Sequence, residues 1–378
     1  MLAECRGVDG ELFGDELAAH AILDQIALAL WGKVRNRIFE PSQNLQSALI
    51  AQGAEKVRFH HIGNLPNNEI YVNQPASRAG AGTMPTLSFF TADVFTDVRF
   101  GGNPLAVVLG GEALDTGTMQ AVAAEFNLSE TTFVLPPTDA SNTARIRIFN
   151  RTAEMAFAGH PMVGTAFVLA GLQPDLAEAA FEIPAGIVRV RIGRDASGAP
   201  VTATIETPQP LSIGAPVAPE VIARVLRLET GDVITATHPP LLASNGNPYI
   251  IAELTDDALA RCAPDMEAFR TAHTAHRHLG DRFSVHVYCR EETTLRARMF
   301  APLAGTWEDP ATGSANAPLA CLLLSLEEGA EQATFVIRQG MEMGRPSLLH
   351  VAARRSPGGI FATLKGSCVA VMQGTISL

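Results

Sequence analysis

The sequence predicts an α+β protein made of two similar, strand-rich halves that follow a leader of different texture. Two observations carry this. First, the chain resembles itself. Arg145-Ile-Arg-Ile-Phe149 returns as Arg296-Ala-Arg-Met-Phe300, 151 residues on (296 − 145). His160-Pro-Met-Val-Gly164-Thr165-Ala166 pairs with Asp309-Pro-Ala-Thr-Gly313-Ser314-Ala315 at 149 (309 − 160), and Gly102-Asn103-Pro104 with Gly246-Asn247-Pro248 at 144 (246 − 102). Three matches in one order, at nearly one spacing, imply a duplicated domain with a site where the copies meet. Second, strand patterns outnumber helix patterns, and 32 Gly and 24 Pro cut the chain into short elements. The 378 residues accordingly divide into an extension over 1–83, a first repeat over 86–205 and a second over 206–365.

In chain order, Asp15 to Phe39 has the spacing of one amphipathic helix, with Ile22, Leu23, Ile26 and Leu30 on a shared face. A linker-like NQPASRAGAGT follows, and Met84 is itself a plausible start. His60-His61 lacks further ligands and reads as a solvated turn. Leu87–Phe95 and Leu105–Leu109 read as strands around a Gly-rich loop at Asp97–Pro104. Asp115 is placed to N-cap a helix whose apolar face is Met119, Val122, Ala123 and Phe126. Strands are expected at Thr131–Leu135, Arg145–Phe149, Ile187–Ile192, Phe283–Cys289, Arg296–Phe300, Thr334–Arg338 and Ile360–Lys365. Met162–Leu172 and Ala311–Leu324 are apolar almost all round and predict two buried helices, with Pro318 awkward inside the second. His160-Pro161 and Asp309-Pro310 read as N-cap and N1 of these helices. Gly164 and Gly313 leave room for a close neighbour, and the two helix starts together make an anion site suited to a substrate carboxylate.

A net charge of −11 argues against nucleic acid. Five scattered cysteines with no CxxC suggest reduced thiols in a cytoplasmic protein, with neither disulfide frame nor zinc site. The acidic first residues do not resemble a secretory signal, and the longest apolar runs are too short to span a bilayer. There is no P-loop and no dinucleotide glycine fingerprint, so no cofactor and no metal are expected.

Glu130, in Asn127-Leu-Ser-Glu-Thr-Thr-Phe133, sits between a helix and an apolar strand, where partial desolvation would raise its pKa and let it take and return a proton. Taken alone, the local sequence favours the plainer reading, an exposed loop glutamate or a strand-start cap. His160 could position or protonate a substrate oxygen, although a buried histidine satisfied by backbone is commoner. Asp309 fits an N-cap as well as a catalytic group. Gly313-Ser314 could bind an anion or merely pack, and Glu154 and Glu308 could serve the helix ends or lie exposed.

Together these segments resemble the PhzF-like phenazine-biosynthesis family. The resemblance rests on Asp93-Val-Phe-Thr96 with Gly102-Asn-Pro104, the glutamate segment 127–133, Arg145–Phe149, Phe157-Ala-Gly-His-Pro161 with Gly164-Thr-Ala166, and Glu308-Asp-Pro-Ala-Thr-Gly-Ser-Ala315, and covers about residues 86–378. It implies a diaminopimelate-epimerase-like fold: two pseudo-symmetric domains, each a mixed β-barrel round a central helix, with a C-terminal strand near 366–378 rejoining the first, in a homodimer. It also implies a cofactor-independent isomerase that moves a carbon-bound proton, in the best-known case on trans-2,3-dihydro-3-hydroxyanthranilate. By that likeness Glu130 shuttles the proton, His160 and Asp309 assist, and Ser129, Gly159, Gly313 and Ser314 hold the polar groups of a carboxylate-bearing small molecule. Relatives of this fold that use two opposed cysteines place them at the helix starts. No cysteine lies at 158–161 or 309–314, and Cys321 is roughly two turns along, so a two-thiol mechanism is not expected. The alternatives are a lyase or hydrolase using the same glutamate, and a binding protein without turnover.

Overall fold

The computed structural model describes residues 86–378 apart from 280, 281 and 292, all within one compact unit, Ile70–Leu378. The expected helix at Asp15–Phe39, the His60-His61 turn and the start at Met84 lie outside the described residues.

The first half runs β1 (Thr86–Val94), β2 (Asn103–Leu109), α1 (Thr116–Phe126), β3 (Glu130–Leu135), β4 (Ala144–Asn150), β5 (Glu154–Met155), α2 (Gly159–Leu172), β6 (Glu178–Ile183), β7 (Gly186–Arg194) and β8 (Pro200–Glu206). The second runs β9 (Ser212–Pro216), α3 (Pro219–Val225), β10 (Val233–Ile234), β11 (Leu241–Ser244), β12 (Pro248–Leu254), α4 (Asp256–Arg261), α5 (Met266–Ala275), β13 (Val285–Arg290), β14 (Leu295–Ala301), β15 (Thr306–Asp309), α6 (Gly313–Leu326), β16 (Gln332–Gln339), β17 (Ser347–Ser356) and β18 (Gly359–Ser377).

Strand pairing closes the first half into an eight-stranded mixed barrel, β1-β2-β3-β4-β6-β7-β8-β18, in which β2–β3 and β4–β6 are parallel. The second repeats the order as β9-β11-β12-β13-β14-β16-β17-β18, with β12–β13 and β14–β16 parallel. A Leu211 N–H donating to the Ile360 carbonyl at 2.7 Å links β18 to the approach of β9. The architecture is the diaminopimelate-epimerase-like one: α+β, two pseudo-symmetric mixed barrels, each wrapped round a helix.

The central helices follow from composition. α2 buries every residue from Gly159 to Ala170 and α6 every residue from Gly313 to Leu324, so neither has a polar face to offer water. Both belong to one continuous core that also takes in the inward side chains of the strands. The strands alternate accordingly; in β17, Ser347, Leu349, Val351 and Ala353 point in while Leu348, His350 and Arg354 point out. Gly164 is required where α2 meets the sheet, since a Cβ there would lie 2.6 Å from Leu105 Cδ2 and 2.7 Å from Val94 Cγ2. α1 lies outside the first barrel, capped by Asp115, whose carboxylate accepts from Thr118 N at 2.7 Å.

Duplication extends to side chains. Arg147 grips Glu154 through two bonds of 2.7 and 2.6 Å, and Arg298 grips Glu308 through two of 2.8 and 2.9 Å. Each guanidinium lies over the phenylalanine two residues on, at 5.1 Å for Phe149 and 5.0 Å for Phe300. Glu154 and Glu308 therefore neither cap the central helices nor stand exposed.

Two expectations need correction. The helices do not begin with His160 and Asp309 as N-caps. α2 starts at Gly159 after Ala158, and α6 at Gly313 after Thr312, while Asp309 ends β15. Proline is tolerated anywhere in a first turn, because those N–H groups have no intrahelical partner, so a following proline does not locate the cap. The true equivalence is Gly159 with Gly313. Second, the strand expected at Ile360–Lys365 is the opening of the 19-residue β18. α6 runs through Pro318, which forgoes only the bond its nitrogen would have made to the Ser314 carbonyl.

Candidate active site

Glu130 opens β3 because α1 stops abruptly. Asn127 adopts the left-handed conformation (φ 51°) and its N–H closes the helix on the Ala123 carbonyl at 3.2 Å. Three residues later β3 enters the barrel, with Glu130 opposite Leu105 of β2 and Asn150 of β4. Its side chain is 13 % exposed and its Oε2 lies 3.2 Å from Nε2 of His160, which is 4 % exposed. Separation alone fits a hydrogen bond, but the orientation does not, and both atoms are buried without a partner.

His160 sits in the first turn of α2, and its tautomer follows from its neighbours. Asn103 Nδ2 lies 3.0 Å from Asp309 Oδ1, 2.8 Å from the Ala311 carbonyl and 3.2 Å from His160 Nδ1. Flipping that amide would set oxygen against oxygen, so the NH₂ faces inward and Nδ1 accepts. The ring proton is thereby assigned to Nε2, the atom nearest Glu130.

Asp309 is fixed from the second half. Its Oδ2 accepts from Thr312 Oγ at 2.5 Å, and its backbone carbonyl accepts from Gln339 Nε2 at 2.8 Å. Gln339 also donates to Thr312 Oγ at 3.0 Å and accepts from Asn316 Nδ2 at 2.9 Å, while Asn316 Oδ1 accepts from His286 Nε2 at 3.0 Å. This buried amide ladder holds the β15–α6 turn.

The helix tips meet at the same place. A Cβ on Gly159 would come within 3.1 Å of Gly313 Cα and carbonyl carbon and of Ser314 N, so a side chain there would press the two backbones apart by a few tenths of an ångström. Neither helix carries a side-chain N-cap bond, which leaves N–H groups of both first turns for a ligand. Ser314 Oγ pairs with Tyr249 OH at 2.7 Å, and Asn247 donates to that hydroxyl at 2.7 Å.

Glu130, Gly159, His160, Asp309, Gly313 and Ser314 thus line one cleft between the halves, about 480 Å³ when its open mouth is included. Ser129 is buried and does not line it; its side chain faces the Asp309 carboxylate. Tyr249, Arg282 and Ser284, which no sequence motif marks, also line the cleft, and Asn103 and Gln339 stand behind it. The repeated Gly-Asn-Pro was the available signal for Asn103 and Asn247; Arg282 and Gln339 carried none.

Electrostatics follow from burial. Loss of water, reinforced by the Asp309 charge, pushes the Glu130 carboxyl well above the ordinary carboxylate range, against a weaker pull from Arg151 and Arg282. Burial raises Asp309 to about 6 despite hydrogen bonds from Thr312, Asn103 and Ser129. Burial lowers His160 to about 3, so its ring is neutral at pH 7. The Cys321 thiol, buried within α6, is pushed up to about 12 and takes no part in the cleft. Among the described residues, no group of three or more His, Cys, Asp or Glu is placed to hold a metal ion, and no helix is long and apolar enough to cross a membrane.

The family model for phenazine biosynthesis-like proteins, PhzC–PhzF, matches residues 92–374. The chain belongs to the PhzF family. An uncharacterized isomerase of Mesorhizobium japonicum is 37% identical over 304 residues, covering 78% of this chain and 99% of its own. The trans-2,3-dihydro-3-hydroxyanthranilate isomerase of Pseudomonas fluorescens is 32% identical over 293 residues, covering 77% and 99%. Among solved structures, a PhzF-family protein of Bacillus anthracis superposes with a TM-score of 0.68 at 26% identity, covering 78% of this chain and all (100%) of that one. A hydroxyproline epimerase of Agrobacterium vitis shares the fold at a TM-score of 0.54 and 13% identity, covering 78% and 91%. PhzF kinship and the named relatives support an isomerase.

Proposed function

We propose that this PhzF-family chain moves a carbon-bound proton on a small, carboxylate-bearing substrate by general acid/base catalysis, with Glu130 as proton carrier and no cofactor. The observation that carries the reading is the facing pair of Glu130 Oε2 and His160 Nε2, 3.2 Å apart, buried and without hydrogen-bond partners, beside the meeting helix tips. Ionised Glu130 takes the proton from one carbon, breaking C–H and forming O–H. The electron pair spreads through an adjacent unsaturated system, and the same carboxyl returns the proton to a second carbon. Its raised pKa favours holding the proton between the two steps. The neutral His160 ring donates Nε2–H to the oxygen where charge gathers. The N–H groups of α2 and α6, Ser314 and the Arg282 guanidinium hold the substrate carboxylate. The name of the Pseudomonas relative supports a dihydroanthranilate-like ring.

The test is turnover in D₂O across unsaturated ring carboxylates. Wild type should place one deuterium on carbon without altering the molecular formula. Glu130→Gln should lower this by at least about 10³-fold, within the range for a positioned acid/base. Equal incorporation by the variant would remove Glu130 from the mechanism, and a product of changed formula would indicate a lyase or hydrolase.

A further inference from the structure

The catalytic cleft does not end at the polar residues. Met155, Asn247, Arg282 and Ser284 line it on one side and, on the other, a second cavity of about 810 Å³ including its mouth. Beyond those four, the walls are apolar: Phe157, Leu242, Ile250, Leu279 and Phe283. Four of these five are buried, Phe157 and Phe283 both at 2 % exposure, while Ala156 and Pro248 are exposed at the solvent side. Glu130 and the residues of the helix tips do not line this space.

We infer that the second cavity is a substrate subsite, and that the carboxylate-bearing substrate carries an apolar substituent of a few carbons passing Arg282 into it. Chemistry and continuity select this occupant. The polar groups needed to recognise a carboxylate lie on the near side of Arg282, and the far side offers chiefly hydrocarbon. Arg282 stands at the junction, where its guanidinium can pair with the carboxylate while its methylenes flank the substituent. The inference rests on the proton-transfer reading for the placement of the polar end, and it deepens that reading by stating the substrate's shape.

The experiment is calorimetric titration of the full-length protein with benzoate and its 3- and 4-methyl, ethyl and propyl derivatives, all carboxylated rings that cannot turn over. In at least one series Kd should fall about fourfold per added methylene, the increment for burying one in an apolar site. Ala156→Trp, at an exposed position, and Leu242→Trp, at a half-buried one, should flatten the increment to under about twofold across the series by occupying the cavity. A series with no gain, including one in which nothing binds, overturns the subsite, as does a gain that survives in both tryptophan variants. Deuterium incorporation with Glu130→Gln is read on turnover, so a flat binding series beside Glu130-dependent exchange condemns the subsite alone. A steep series without exchange condemns the proton-transfer reading alone.

Discussion

Asp309 is 5 % exposed, and the hydroxyl and amide donors around it do not fully compensate the loss of water. Its folded value of about 6 lies above its ordinary 3.8, so the folded protein binds this proton more tightly than the unfolded chain does. Below about pH 4 the group is neutral in both states and costs nothing. As pH rises through the window from about 4 to 6, stability falls, and the full penalty persists above it. His160 acts oppositely: lowered from 6.5 to about 3, it costs stability as pH falls through that interval. Asp309→Asn removes the first effect and leaves the second. The variant should be more stable than wild type at pH 7–8, by on the order of 1 kcal/mol after one hydrogen bond is weakened. That excess should shrink as pH falls and reverse sign by about pH 4, where the carboxylate penalty has gone and the weakened hydrogen bond remains. Thermal unfolding from pH 4 to 8 reads it, and an excess independent of pH would mean the carboxylate is not buried as placed. Losing the Asp309 charge should also move the acid limb of the rate profile to lower pH, because that charge helps hold Glu130 up.

At the scale of elements, the duplicated arginine–glutamate clasps make a controlled comparison. Arg147 and Glu154 are 22% and 30% exposed, whereas Arg298 and Glu308 are 7% and 12% exposed. Arg298 also donates through Nη1 to the carbonyls of Leu259 and Cys262, at 2.9 Å each, tying the end of α4 to β14. Arg298→Met therefore strands a largely buried carboxylate and two carbonyls, at a cost of about 3–5 kcal/mol, while Arg147→Met leaves its glutamate within reach of water and costs about 1 kcal/mol. Urea denaturation should separate the two, and equal losses would show that burial does not govern these clasps. What was readable in the chain follows the same division between local and distant causes. The Asp115 cap, the alternating strands and the all-apolar helices depend on neighbours within a turn or a pleat, and each is visible as a pattern. The glutamate of the Asn127–Phe133 segment looked ordinary in isolation, because its desolvation is supplied by α2 and β15. Asn103 reaches Asp309 and Gln339 reaches its backbone across folds of the chain that no spacing rule records, so these partners were invisible. The helix starts differ for a subtler reason, since His-Pro satisfies a capping pattern two residues past the true cap, Ala158, and Asp-Pro three residues short of the true cap, Thr312.

For the whole molecule, β18 is the element that makes the two barrels one body. Residues 359–365 pair with β17 of the second barrel, 363–367 with β8, and 368–377 with β1 of the first. At the crossover lies Phe95, fully buried, in the left-handed region (φ 65°), and pinned by its N–H to the Ser367 carbonyl and its carbonyl to Leu348 N–H, each at 2.8 Å. Its ring fills the space where Gly366 lacks a side chain: a Cβ there would stand 2.2 Å from Phe95 Cδ1. The far edge of the ring faces the active site, with Cζ 3.2 Å from a Cβ built on Gly313. Gly366→Ala should therefore do more than overpack the core. With its backbone held at both sides, the ring can yield only toward the tip of α6, spreading the two helix starts that meet at Gly159. We expect a loss of about 1–3 kcal/mol in stability, with at least a tenfold fall in kcat/KM, since misplacing catalytic groups by a fraction of an ångström is costly. Gly374→Ala is the control on the same strand. Its Cβ would meet Phe89 Cε1 at 2.9 Å, but Phe89 is only half-buried and its ring end can swing away. That variant should lose under about 1 kcal/mol and keep its turnover. Equal effects of the two substitutions on kcat/KM would sever the closing strand from the site.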